Sequence, residues 1–246
     1  MQRARRLASI AITAALGVTV LSACRSEPGV AAYIGDHKIT EDEVTRVLDD
    51  ARSKVPAEAG ASNASPEPGL PPMLGPVRAP TRAQVVSVLV LGDVCRRLAA
   101  DRGFQPEDQS SPEQVAERLG VPGNSEYAVR ISEVYDCLAA VPVGQPVTPT
   151  EEELADIVAR GRKAGVVSPQ EKDSDAGQRL TQGGQLGSGL AQRNALTEAI
   201  AGYRVTVSPR YRPLEFPVLS FSDGSAAVSV VIGDEGAGTV VDGDRP

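Results

Sequence analysis

The stretch VAAYIGDHKITEDEV, residues 30–44, contains two short apolar segments, a turn and the start of a helix. Gly35 and Asp36 separate the apolar segments, and a Gly-Asp pair is typical of a tight turn, so the stretch predicts two short strands. Thr40 and Glu43 have the spacing of a capping box, in which each side chain accepts a hydrogen bond from the other residue's backbone N–H. The apolar residues that follow recur at helical spacing, which predicts a helix directly after the second strand.

Five more helices are predicted where apolar side chains recur at helical spacing, three of them after a capping residue. Together with the helix that begins at Thr40, the predicted ranges are about 40–54, 81–102, 111–120, 125–140, 150–162 and 187–201. Gly103, Gly120 and Gly202 follow three of these helices, and glycine is the usual residue at a helix end. The fold class predicted by this pattern is mainly α.

Short strands are predicted on both sides of the helical region. The alternation in YRVTV, residues 203–207, is typical of a strand, and PVLSFS and SAAVSVVI on either side of Asp223 and Gly224 predict a β-hairpin. We expect Val30–Ile34 to pair with Tyr203–Val207, so that the two ends of one helical domain meet.

Three segments predict irregular structure. Residues 55–80 are rich in Pro, Ala, Gly and Ser, residues 163–185 are polar and rich in glycine, and residues 233–246 form an acidic end, which we expect to be disordered. The predicted organisation is a signal peptide (1–23), a short tether (24–29), a helical domain (30–212), a possible β-hairpin (213–232) and a disordered tail (233–246).

The first residues predict export and lipid attachment. Basic residues at 3–6 precede an apolar run at 7–21, which is typical of a secretory signal. LSAC, residues 21–24, resembles the bacterial lipobox, which implies that the Cys24 thiol receives a diacylglyceryl group and that the leader is cut before it. The alternative is an ordinary cleavage site with an unmodified cysteine beside it. The predicted location is the outer face of the cell membrane, anchored by an N-terminal lipid, because two acyl chains give stable attachment.

The charge of the chain argues against nucleic acid as a partner. The formal net charge is −7, and removal of residues 1–23, which contain three arginines, leaves 22 basic and 32 acidic residues. Phosphate contacts need clustered Lys and Arg. Aromatic residues make up only 3% of the chain, so the core is expected to be aliphatic.

The other two cysteines, Cys95 and Cys137, fall on predicted helices. Outside the cytoplasm, two remaining cysteines favour one disulfide bond. Two buried free thiols that pack as small apolar groups remain the alternative. The pair lacks the C-x-x-C spacing of a redox-active site.

The order of these motifs resembles the N-terminal chaperone domain of the SurA/PrsA family of exported folding factors. The resemblance rests on AAYIGDHKITEDEV (31–44), the long amphipathic helix, VTPTEEELADIV (147–158) and the closing segment VSPRY (207–211). It implies a helical domain with paired terminal strands and the binding of unfolded or partly folded exported polypeptides, without a cofactor.

The same family often carries a parvulin-type prolyl isomerase domain, and residues 174–190 are similar to part of its loop. The strands of a parvulin domain are missing, and His37 is the single histidine of the chain, where parvulin sites resemble a cage with two. His37 also has no metal-ligand partners at a suitable spacing, which favours a surface residue over a metal ligand or a general base.

These observations predict a non-enzymatic, membrane-anchored chaperone or holdase with no catalytic residues, no metal and no small-molecule substrate. Its clients would contact an apolar groove between helices. An alternative is a scaffold lipoprotein that binds one defined envelope partner. A divergent isomerase is the third hypothesis.

Overall fold

The computed structural model describes residues 27–56, 77–106 and 110–233. The described residues form seven α-helices, five short strands and one 3₁₀ turn at Pro209–Tyr211. The helices are α1 Glu41–Ser53, α2 Arg82–Arg102, α3 Pro112–Leu119, α4 Glu126–Ala140, α5 Glu151–Lys163, α6 Asp173–Thr181 and α7 Gln185–Gly202. The strands are β1 Val30–Ile34, β2 His37–Thr40, β3 Val205–Val207, β4 Glu215–Ser220 and β5 Ala226–Val231. The chain is thus mainly helical with a few short antiparallel strands, as its sequence predicts.

The two ends of the helical region meet in a three-stranded sheet of order β2-β1-β3. Both pairings are antiparallel, and Ala32 lies opposite Val207 across the second one. The predicted pairing of Val30–Ile34 with the strand that follows α7 is therefore confirmed. The late strand begins two residues after Tyr203, because Arg204 takes a left-handed φ of 52° between α7 and β3.

The capping residues named from the sequence begin the helices as expected. Thr81 and Thr150 form complete capping boxes with Gln84 and Glu153, while Ser111 caps α3 ahead of a proline. These side chains accept hydrogen bonds from backbone N–H groups that have no partner inside the helix. The sequence and the local structure agree here because both are fixed by contacts within one helical turn.

The main core lies between β1, α1, α2, α4 and α7 and is almost entirely aliphatic. Its fully buried side chains include Ile34, Leu48, Leu91 and Leu196. Nearly every residue of α2 from Val85 to Leu91 is buried, so this helix runs through the middle of the molecule. The prediction of an aliphatic core is confirmed for the described residues.

The prediction of a loop over residues 163–185 is wrong, because α6 forms within it. Lys172 at its start makes no side-chain capping bond, so the usual sequence signal of a helix start is missing. Gly177 lies against Leu154 of α5, so closely that a Cβ atom at this glycine would be 2.8 Å from Leu154 Cδ2. The helix α6 packs against α5, and a contact between separate elements cannot be predicted from the local sequence.

The strands β4 and β5 form the predicted hairpin around Asp223 and Gly224. The hairpin packs on α7 so closely that a Cβ atom added to Gly189 would lie 3.2 Å from Leu219. Phe216 also reaches the main core, where its ring is 5.9 Å from that of Tyr135. The hairpin therefore shares the core of the helical domain.

Several predicted segments lie outside the described residues. They are the signal peptide (1–23), Cys24 of the tether, most of the loop at 55–80 and all but the first residue of the tail at 233–246. Among the helices that the structure describes, none has the length and apolarity required to cross a membrane.

Candidate functional site

An open groove lies between α2, α4 and the segment that follows α2. Its volume is about 690 Å³. The lining residues are Gly92, Cys95, Arg96, Ala99, Ala100, Gly103, Phe104, Gln105, Pro106, Glu133, Asp136 and Cys137. We call this cavity the α2–α4 groove. Its volume is in the range of cavities that enclose a small ligand or a few side chains.

The α2 wall of the groove is made mostly of small residues. Gly92, Ala99 and Ala100 recur at helical spacing, so they lie along one face of α2 and leave room beside its backbone. Phe104 and Pro106 continue this apolar surface beyond the helix end, and Phe104 packs against the main core. Apart from Arg96, whose guanidinium lies beside Gly92, the wall offers small and apolar side chains to a bound chain.

Cys95 and Cys137 join the two walls. Their Cα atoms are 6.2 Å apart and the sulfurs are bonded to each other. Both residues are buried in the main core and also line the groove. The structure thus brings together the two cysteines that the sequence analysis paired, and the oxidised state of the exported protein stays a prediction.

Arg96 at the groove shares the carboxylate of Asp93 with a second arginine. Its guanidinium lies 2.8 Å from an oxygen of Asp93, which is mostly buried. Asp93 also accepts a hydrogen bond from Arg97 at 3.0 Å, and Nδ1 of His37 lies 3.5 Å from the same carboxylate. The cluster holds the β1–β2 hairpin against α2, and because Arg96 and Arg97 share one carboxylate, the α2 wall retains positive charge at Arg96.

The α4 wall carries two carboxylates one turn apart, Glu133 and Asp136. Asp136 is 6% exposed, and its Oδ1 accepts a hydrogen bond from the backbone N–H of Ser110 at 2.9 Å. Within residues 27–56, 77–106 and 110–233, neither carboxylate pairs with a basic side chain, and Glu133 is exposed. The groove therefore has an α2 wall of small and apolar residues with one arginine, and it faces an α4 wall that carries two carboxylates.

The C-terminal end of α2, next to the groove, is held by a tyrosine from the end of α7. Tyr203 donates a hydrogen bond from its hydroxyl to Asp101 at 2.6 Å. Loss of solvent around the phenol, with the Asp101 carboxylate beside it, raises the pKa of Tyr203 to about 12. The hydroxyl thus keeps its proton and this contact throughout the physiological pH range.

The other residues considered in the sequence lie elsewhere. The side chain of His37 is 45% exposed on β2, as expected of a surface hairpin residue. Residues 174–190 form most of α6 and the first turns of α7, and Gly183 and Gly184 between them have positive φ. No group of three or more His, Cys, Asp or Glu in the described part of the chain is placed to hold a metal ion.

The sequence predicted a groove between helices but not its acidic wall. Glu133, Asp136 and Cys137 have the i, i+3, i+4 spacing of one helix face, and this spacing beside a cysteine was the available signal. The burial of Asp136 depends on its contact with Ser110, which lies far away in the sequence. No family model, no curated protein and no solved structure gives a significant match to this chain.

Proposed function

We propose that this protein is an exported lipoprotein, anchored through Cys24, that binds unfolded or partly folded exported polypeptides and acts as a non-enzymatic chaperone. The observation that carries the proposal is the α2–α4 groove. It offers small and apolar side chains along one helix face, in a volume of about 690 Å³. Contacts of this kind suit many sequences, because apolar burial has no directional requirement.

The arrangement around the groove supports the same proposal. A β-hairpin leads into a capped helix, a long helix follows, and a late strand returns to pair with the first. This order is what the resemblance to the N-terminal domain of the SurA/PrsA family implies. The SurA/PrsA-like assignment remains part of the proposal.

The spacing between Cys24 and the first strand also supports a role at the membrane surface. β1 begins at Val30, six residues after Cys24. An extended chain of that length reaches roughly 20 Å. A lipid on Cys24 would therefore keep the groove close to the site where exported chains emerge.

The function is tested with the chain from residue 24 onward, made soluble by Cys24→Ser. We expect this protein to suppress the aggregation of an unfolded exported protein at an equal molar ratio. Ala100→Trp, at an exposed position of the groove, should reduce the suppression, because the indole occupies the space next to α2. Ala139→Trp is the matched control, since Ala139 is exposed on α4 and does not line the groove.

Absence of any suppression by the unsubstituted protein would overturn the proposed function. Equal loss of suppression in Ala100→Trp and Ala139→Trp would show that the groove does not take part in this function. Recovery of one folded partner instead of many unfolded clients would favour the scaffold alternative, and acceleration of proline isomerisation that is lost on changing residues 174–190 would favour the isomerase.

The anchor is tested separately by mass spectrometry of the protein isolated from membranes. The expected N-terminal residue is Cys24 with a diacylglyceryl group on its sulfur. With Cys24→Ser in the full chain, the protein should leave the membrane fraction. An unmodified Cys24 in a soluble product would contradict the anchor.

A further inference from the structure

We infer that the α2–α4 groove selects extended polypeptide segments in which a basic residue, Lys or Arg, stands among small or apolar residues. This inference rests on the proposed function, because it names the chemical class of the client that the same groove binds. The partner is a polypeptide segment, and the feature recognised is one positive charge beside apolar side chains.

The strongest observation is the state of Asp136. This carboxylate is 94% buried, lines the groove, and is bonded through Oδ1 to the N–H of Ser110. Among the described residues, no group donates a hydrogen bond to its Oδ2, and this oxygen remains accessible to solvent. A buried anion is stabilised by a cationic partner, so a ligand cation next to Oδ2 would gain an interaction that the protein alone does not supply.

Glu133 adds a second negative charge one turn away on the same wall. It is exposed, and no basic side chain in the described parts of the chain pairs with it. A guanidinium or ammonium group between Glu133 and Asp136 would face two carboxylates. The protein as a whole has a net charge of −7, which also favours the approach of cationic segments.

The opposite wall explains why a free cation alone would be a poor ligand. Ala99, Ala100 and Phe104 offer apolar surface, and Arg96, which shares Asp93 with Arg97, adds a positive charge that disfavours a free cation on that wall. A small metal ion or a polyamine would leave this surface uncovered. A polypeptide that carries both a basic and an apolar side chain satisfies both walls at once.

The test measures binding of short fluorescein-labelled peptides of alanine and leucine to the soluble Cys24→Ser chain. The central residue of the peptide is arginine, glutamine or glutamate. We expect the arginine peptide to bind about tenfold more tightly than the glutamine peptide, and the glutamate peptide to bind most weakly. The preference should shrink as salt is added, because ions screen charges that are partly exposed.

Two substitutions locate the preference. Asp136→Asn retains an acceptor for the Ser110 N–H and should remove most of the tenfold preference for arginine. Glu133→Gln, at an exposed position, should reduce it about threefold. Glu117→Gln on α3 is the matched control with the same change of charge outside the groove, and it should leave the preference unchanged.

Circular dichroism and thermal unfolding show whether each variant folds. If Asp136→Asn does not fold, the result for Glu133→Gln decides the question alone. Equal binding of the three peptides, with aggregation still suppressed, would overturn this inference and leave the proposed function standing. Equal reduction of the preference for arginine by Glu133→Gln and Glu117→Gln would also overturn this inference. Absence of both peptide binding and suppression would overturn the proposed function itself.

Discussion

The helices α1–α4 with β1 and β2, and the segment from α5 to β5, differ in how closely their elements approach one another. In the first region, branched aliphatic side chains such as Val44, Leu48 and Leu91 fill the main core. In the second, glycines bring elements close together, as at Gly177 against Leu154 and Gly187 against the Val147 carbonyl. Both regions bury large aliphatic side chains, Ile157, Leu186 and Leu190 among them in the second, but the described glycines of the first region show no approach closer than 3.0 Å to an added Cβ.

The two regions also differ in whether a capping side chain begins each helix. The helices α1–α4 all begin at Thr or Ser residues that accept a capping hydrogen bond. In the second region α5 has a capping box, but α6 and α7 begin without a side-chain cap. The helix starts of α6 and α7 therefore lack the side-chain signal that marks α1–α5 in the sequence.

The largest expected effect comes from the main core. Leu91→Ala should lower the free energy of unfolding by about 2–5 kcal/mol, because it removes a side chain that is 1% exposed and leaves a cavity. Leu119→Ala, at a side chain that is 42% exposed, is the control and should change stability by no more than about 0.5 kcal/mol. Urea unfolding measures both, and similar values for the two would contradict the assignment of the core.

The link between α2 and α4 should have the next largest effect. Cys95 and Cys137 are 42 positions apart, and a crosslink that closes a loop of this length contributes about 4 kcal/mol in the chain-entropy account. We expect a reductant to lower the urea midpoint of the natural protein and to leave that of the doubly substituted Cys95→Ala, Cys137→Ala chain unchanged. If the natural protein does not respond to the reductant, the two cysteines are the free thiols of the alternative.

The glycine contacts of the second region are tested on a single helix. At Gly187 an added Cβ would be 2.9 Å from the backbone oxygen of Val147, so Gly187→Ala should destabilise the protein by about 1–3 kcal/mol. Gly202→Ala, at the other end of α7, meets no atom within 4 Å and should be neutral or stabilise by up to about 1 kcal/mol. If both variants are stabilised, helix propensity outweighs close approach, and the distinction between the regions fails.

The smallest effect is a pH dependence at the contact between α1 and α4. Asp50 accepts hydrogen bonds from Lys54 and from the Glu126 N–H, at 2.8 and 2.7 Å, and the Lys54 bond is the main cause of a lowered pKa of Asp50. Because the pKa of Asp50 is lower in the folded state, the stability that its ionised carboxylate contributes is complete above the unfolded pKa of about 4. It is lost as the pH falls through the folded-state pKa.

Asp50→Asn should therefore weaken the protein by less than about 1 kcal/mol at neutral pH and reduce its loss of stability below about pH 4. Thermal unfolding between neutral and acidic pH measures this difference. Asp49→Asn, at a more exposed side chain on the same helix, is the control. An unchanged acid response in Asp50→Asn would show that other carboxylates govern it.

The comparison also explains what the sequence could predict. The caps of Thr40, Thr81 and Thr150 follow from local patterns, the pairing of β1 with β3 was expected from the order of the elements, and the structure confirms both. The helix α6 was missed because it has no capping side chain and carries Gly177 in its middle. Local rules treat such a glycine as a helix breaker, although here it allows close packing.

The candidate site was predictable only in outline. The apolar face of α2 and the pairing of Cys95 with Cys137 can be read from helical spacing and cysteine count. The hydrogen bond that Asp136 accepts comes from the backbone N–H of Ser110, 26 positions earlier in the sequence. Such contacts between distant segments are not encoded in local spacing.

The central claim is that the α2–α4 groove binds extended exported chains at the membrane surface. The most direct test places a photo-crosslinking amino acid at position 100 of the full chain in living cells and identifies the attached proteins. The account predicts many different exported polypeptides from Ala100 and few from a crosslinker at Ala139. No crosslinks from Ala100, or the same single folded partner from both positions, would contradict it.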